Sequence, residues 1–92
     1  MIGLVGNDAC WSQIAREQIP LFDSDVACKL LHTGYHDIAQ HYGGLGMSID
    51  SPDDDVMRDT FKAAIEKSRG GVPVLINAII SKSDFRAGSI SV

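Results

Sequence analysis

No apolar run in this 92-residue chain approaches the roughly 20 residues needed to cross a bilayer as a helix. No basic stretch precedes an apolar one at the N-terminus, so a secretory signal is not expected. Positive charge is scarce as well: eight Lys and Arg stand against twelve Asp and Glu, for a formal net charge of -4. That balance argues against nucleic acid or an anionic membrane surface as partner. A Gly-rich phosphate loop is missing too, which counts against a nucleotide-binding or flavodoxin-like domain. The two cysteines, Cys10 and Cys28, are too few and too far apart for a zinc pattern or a disulfide framework. Two free, partly buried thiols are expected, and a disulfide between them is a question of geometry. Among the histidines, His32 and His36 are one helical turn apart but lack the accompanying glutamate of a metal-binding helix. Asp53-Asp54-Asp55 lacks the alternation and terminal glutamate of a calcium loop.

What is present is an ordinary globular composition, 45% hydrophobic and 22% charged. The length allows one small domain at most. Residues 2–6 are continuously apolar and read as a strand covered on both faces. Residues 9–19 read as a helix, with Trp11, Ile14, Ala15 and Gln18 on one face, Asp8 as its cap and Pro20 as its end. Val26-Ala27-Cys28 reads as a short strand, Tyr35 to Tyr42 as a helix stopped by Gly43-Gly44, and Gly46 to Ile49 as a strand. Ser51 followed by Pro52 and an acidic run predicts a helix start with Ser51 as N-cap and Pro52 at the first position. That helix runs to about Arg69 and is closed by Gly70-Gly71. Residues 72–80 are apolar and largely β-branched, as expected of a central strand. Residues 81–92 form a polar tail with Phe85 as its large anchor. Strand and helix alternate, so the predicted fold is α/β: a parallel sheet of three to four strands with helices on its faces.

Ligands of such sheets sit beyond the carboxyl ends of the strands. Asn7 and Asp8 fall at one such end. A side-chain amide oxygen and a nearby main-chain carbonyl are hard, neutral ligands suited to magnesium or calcium. Two oxygens do not complete an octahedral site, so carboxylate and phosphate oxygens would have to come from elsewhere. A Gly-Asn-Asp turn without any ligand is the simpler reading of the same residues.

The stretch Leu4 to Gln18, with GNDACW at residues 6–11, resembles the second half of the signature of thiamine diphosphate-dependent enzymes. Its wording is similar to that of the animal acetolactate synthase-like family, which acts on 2-hydroxyacyl-CoA as a lyase. SDFRAGSISV at residues 83–92 resembles the end of the same proteins. The resemblance spans the chain and is looser between about Lys29 and Ser68. It implies that the chain is the C-terminal part of a thiamine diphosphate-binding domain of a longer, oligomeric protein. Asn7 would bind Mg2+ through its side-chain oxygen and Ala9 through its main-chain carbonyl, anchoring the cofactor diphosphate. Cys10 and Trp11 would lie beside the cofactor, and Asp8 would cap the helix. The parent would cleave a 2-hydroxyacyl-CoA to formyl-CoA and an aldehyde one carbon shorter. Acetolactate synthesis is the related alternative, and endoplasmic reticulum the implied compartment. The Gly-Asp-Gly half of the signature and the activating glutamate are absent from this chain, so it is expected to be inactive alone. A non-catalytic α/β interaction protein is the reading from a different class. As a ligand on a turn, Asn7 is expected to add little to stability.

Overall fold

The computed structural model describes residues 1–81. Its elements are β1 (Ile2–Asn7), α1 (Ser12–Phe22), α2 (Tyr35–His41), β2 (Leu45–Ile49), α3 (Asp54–Arg69) and β3 (Val74–Ile79). The three strands form one parallel sheet in the order β1-β3-β2. The run VLINAI of β3 takes the centre, where both backbone edges are paired. Its β-branched, apolar side chains suit a strand packed on both faces.

Register decides which residues meet. Leu4, Ile76 and Met47 are aligned across the sheet, as are Val5, Asn77 and Ser48. Side chains alternate along each strand, so these two rows point to opposite faces. On the first face, Ile49, Ala64, Val74 and Ile76 form the core, with Leu45, Met47, Met57 and Ala78 packed around it. Met57 and Ala64 come from α3, which therefore covers this face. On the second face α2 lies so close to β2 that a Cβ at Gly46 would collide with the main-chain carbonyl of His36.

The α/β alternation holds, with corrections at particular elements. Val26–Cys28 is a turn, closed by Cys28 N–H donating to the Asp25 carbonyl at 2.9 Å, with Ala27 at a φ of 64°. The described sheet therefore has three strands. α1 starts at Ser12 and continues through Pro20 to Phe22. Proline forfeits one N–H of the helical ladder but does not oblige an exposed last turn to stop. The N-cap of α3 is Asp53, one residue beyond Pro52: its carboxylate accepts from the N–H groups of Asp55 and Val56 at 2.8 and 3.3 Å. Ser51 Oγ instead accepts from the Asp53 N–H in the preceding turn, at 3.4 Å. β1 is not covered on both faces. It is an edge strand among the described residues, and Leu4 is 58% exposed because the α3 core is centred over β2 and β3. The tail from residue 82 onward, including Phe85, lies outside the described residues.

Candidate functional site

The carboxyl end of β1 is built around two buried asparagines. Asn7 and Asn77 both lie on the α2 face, two residues out of register on neighbouring strands. They are 4% and 1% exposed, so every polar atom they carry needs a partner. Asn7 Nδ2 donates to the Thr33 carbonyl at 3.0 Å and to Asn77 Oδ1 at 3.2 Å. Asn7 Oδ1 accepts from the Ala9 N–H at 3.2 Å. Asn77 Nδ2 donates to the same Thr33 carbonyl at 3.2 Å and lies 3.4 Å from His36 Nδ1.

The turn that follows is braced from outside. Ala9 sits in the left-handed region at a φ of 55°, a conformation that costs a non-glycine residue about 1 kcal/mol. Its carbonyl accepts from the Leu30 N–H at 2.7 Å, and Trp11 N–H donates to the Cys28 carbonyl at 2.8 Å. Cys10 and Lys29 thus form an isolated antiparallel bridge. The Asp8 carboxylate accepts from the Cys10 N–H at 3.2 Å and from Ser12 Oγ. It therefore ties the turn to the start of α1 but is not its cap. The N-cap position is Trp11, which makes no side-chain cap bond.

Of the four residues expected beside a cofactor, Asn7, Ala9 and Cys10 line one cavity of about 120 Å³, with Leu30 and Tyr35 across from them. Trp11 does not line it and is 56% exposed. Cys10 and Cys28 are free thiols, Cys28 buried and Cys10 half-buried. Of the other side chains of the network, His36 draws attention in the sequence only for its spacing from His32, and Asn77 is not singled out. The one clue was a lone amide in the apolar run Val74 to Ile79.

The donor set fits part of a hard-cation site. Asn7 Oδ1 and the Ala9 carbonyl each accept one hydrogen bond here. A carbonyl oxygen has a second lone pair to offer. Both are neutral oxygens of the kind magnesium takes, as two of its six ligands. No group of three or more His, Cys, Asp or Glu is placed to hold a metal among the described residues. The cavity of about 120 Å³ is also well below the roughly 300–1,000 Å³ of complete small-molecule sites. No helix among the described residues is long and apolar enough to cross a membrane.

Comparison with known proteins returns one name. The chain is 51% identical over its whole length to 2-hydroxyacyl-CoA lyase 2 of Danio rerio, covering 15% of that protein. It is 48% identical to the protein of that name from Caenorhabditis elegans and 42% identical to that of Homo sapiens, covering 14% and 15% of them. In each case all of this chain is aligned. The chain thus spans about one seventh of the length of the curated relatives it matches. No family model matches it, and no solved structure does.

Proposed function

We propose that this chain, similar along its full length to 2-hydroxyacyl-CoA lyase 2, furnishes the metal-binding strand end of a thiamine diphosphate- and magnesium-dependent lyase. One observation carries the reading. Asn7 is held by two donated bonds so that its amide oxygen is turned toward Ala9, at the carboxyl end of a parallel strand. In this reading Asn7 Oδ1 and the Ala9 carbonyl hold Mg2+. Leu30 and Cys28 hold the turn through its main chain, and Cys10 lines the wall beside it. Bound thiamine diphosphate would supply an electron sink for breaking the carbon–carbon bond next to the thioester of a 2-hydroxyacyl-CoA. The products are formyl-CoA and an aldehyde one carbon shorter. The remaining metal ligands and the proton-handling groups belong to other parts of a longer protein.

The test is a chimera in which this chain replaces the matching segment of the zebrafish relative. Given thiamine diphosphate, Mg2+ and a 2-hydroxyacyl-CoA, the chimera should release the shortened aldehyde, and Asn7→Ala in it, compared on protein that circular dichroism shows to be folded, should raise the Mg2+ requirement at least about tenfold, the lower end of what losing a group of a metal site costs. An unchanged Mg2+ requirement would remove Asn7 from the site. Acetolactate formed from pyruvate, with no aldehyde from the CoA ester, would replace the lyase by the related synthase.

A second reading rests on surface chemistry. Leu4, Trp11, Leu21 and Phe22 are all more than half exposed. Such a surface suits a non-catalytic α/β protein that associates with another chain. A clean monomer of 9.9 kDa on gel filtration would count against it.

A further inference from the structure

We infer that Asn77 is a positioning residue for Asn7, reinforcing the orientation in which the Asn7 amide oxygen faces the turn where the cation would be held. The inference rests on the reading of Asn7 as a metal ligand. A primary amide can sit in either of two orientations related by a half-turn, and only the one with oxygen toward the turn offers a ligand. The other would present an N–H donor to a cation.

Two main-chain groups that cannot turn over, the Thr33 carbonyl and the Ala9 N–H, meet Asn7 directly, and Asn77 adds a third partner. The Thr33 carbonyl is an acceptor only. It receives Tyr35 N–H at 2.9 Å, which fixes it to the start of α2. Both Asn7 Nδ2 and Asn77 Nδ2 donate to it, at 3.0 and 3.2 Å. With Nδ2 of Asn77 committed to Thr33 and beside His36 Nδ1, Oδ1 of Asn77 is left facing Asn7, and it accepts there at 3.2 Å. Turning Asn7 over would set its oxygen against two acceptors and its amide hydrogens against the Ala9 N–H. Turning Asn77 over would set oxygen against the Thr33 carbonyl and leave two Nδ2 groups facing each other. In a nearly dry site each such mismatch leaves donors or acceptors unpaired, which burial penalises. Asn77, 1% exposed and on the neighbouring strand, thus adds a second acceptor to the hold that the Thr33 carbonyl and the Ala9 N–H already have on Asn7.

The experiment uses the 15N-labelled full chain and reads hydrogen exchange of the Asn7 side-chain amide against that of exposed Gln40. Asn7 should exchange at least about tenfold more slowly. Asn77→Leu should lower that protection severalfold while the main-chain amide of Ile76 stays protected. A purely structural role for Asn77 would move the Asn7 side chain and Ile76 main chain together. Full protection of Asn7 in Asn77→Leu overturns the inference. So does fast exchange of Asn7 in the unaltered chain, which decides the matter should Asn77→Leu fail to fold. Mn2+ affinity of the chimera with the zebrafish relative, read by electron paramagnetic resonance with thiamine diphosphate present, separates this inference from the reading beneath it. An affinity lowered at least about tenfold in Asn7→Ala and severalfold in Asn77→Leu supports both. An affinity unchanged in Asn7→Ala, with Asn7 protection still dependent on Asn77, removes the metal and leaves the orientation device standing.

Discussion

Asn7→Ala in the isolated chain, without metal or cofactor, should be strongly destabilising. The sequence places Asn7 on a turn, where truncation costs little; its surroundings reverse that expectation. The substitution removes three hydrogen bonds, to the Thr33 carbonyl, Asn77 Oδ1 and the Ala9 N–H. At about 1 kcal/mol net for each, the loss is about 3 kcal/mol. Two corrections act in opposite directions. Asn77 Oδ1 is left without its donor in a residue 1% exposed, which adds to the cost. The Thr33 carbonyl keeps Asn77 and Tyr35 as donors, and the half-buried Ala9 amide is near enough to solvent to bond to water, which reduces it. The expected cost is about 2–4 kcal/mol, a large part of the stability of a small domain. Urea unfolding followed by far-UV circular dichroism would read it directly. With a slope of about 1 kcal/mol per molar urea, the midpoint should fall by about 2–4 M, or the variant should be unfolded at the outset. A loss below about 0.5 kcal/mol, the size of a surface substitution, would refute the buried network.

Ala9→Gly should stabilise the chain by about 0.5–1 kcal/mol, because glycine adopts the left-handed φ of 55° without the Cβ clash; a lower melting temperature would contradict the turn geometry. Asp53→Ala should cost about 1 kcal/mol by removing the cap of α3, whereas Ser51→Ala should cost less than about 0.5 kcal/mol; equal effects in thermal melts would return the cap to Ser51. Gly46→Ala should cost about 3 kcal/mol or more and lower the protection of α2 amides before that of α3, because the added Cβ drives into the His36 carbonyl. Uniform loss of protection across both helices would mean that α2 has room to move away.

Features written in local chemistry were legible in the sequence. Alternating apolar runs and glycine stops gave the order of strands and helices, and the acidic run after Pro52 gave α3 its start to within two residues. Asn7 stood out because it ends an apolar strand. Features that depend on distant partners were not legible. Asn77 meets Asn7 across 70 residues of chain, and Thr33 contributes a main-chain oxygen, for which residue type carries no signal. Val26-Ala27-Cys28 has the composition of a strand, yet the Cys28 N–H closes a turn on Asp25 and its carbonyl is taken by Trp11. The apolar run of β1 suggested cover on both faces, but composition does not report which neighbours are there to supply it.

Gly46 has a consequence for how this sequence can vary. A single added methyl group there meets the His36 main chain, and the same short segment, Thr33 to His36, carries the carbonyl and imidazole that fix Asn77. Position 46 and the amide pair are therefore coupled genetically even though Gly46 touches neither asparagine through a side chain. A lineage that keeps the pair has little freedom at position 46. Loss of the pair should ease the constraint on position 46, because α2 would then no longer have to hold Thr33 and His36 against Asn77. Substitutions at these sites should be non-additive, and drift at one should open drift at the other.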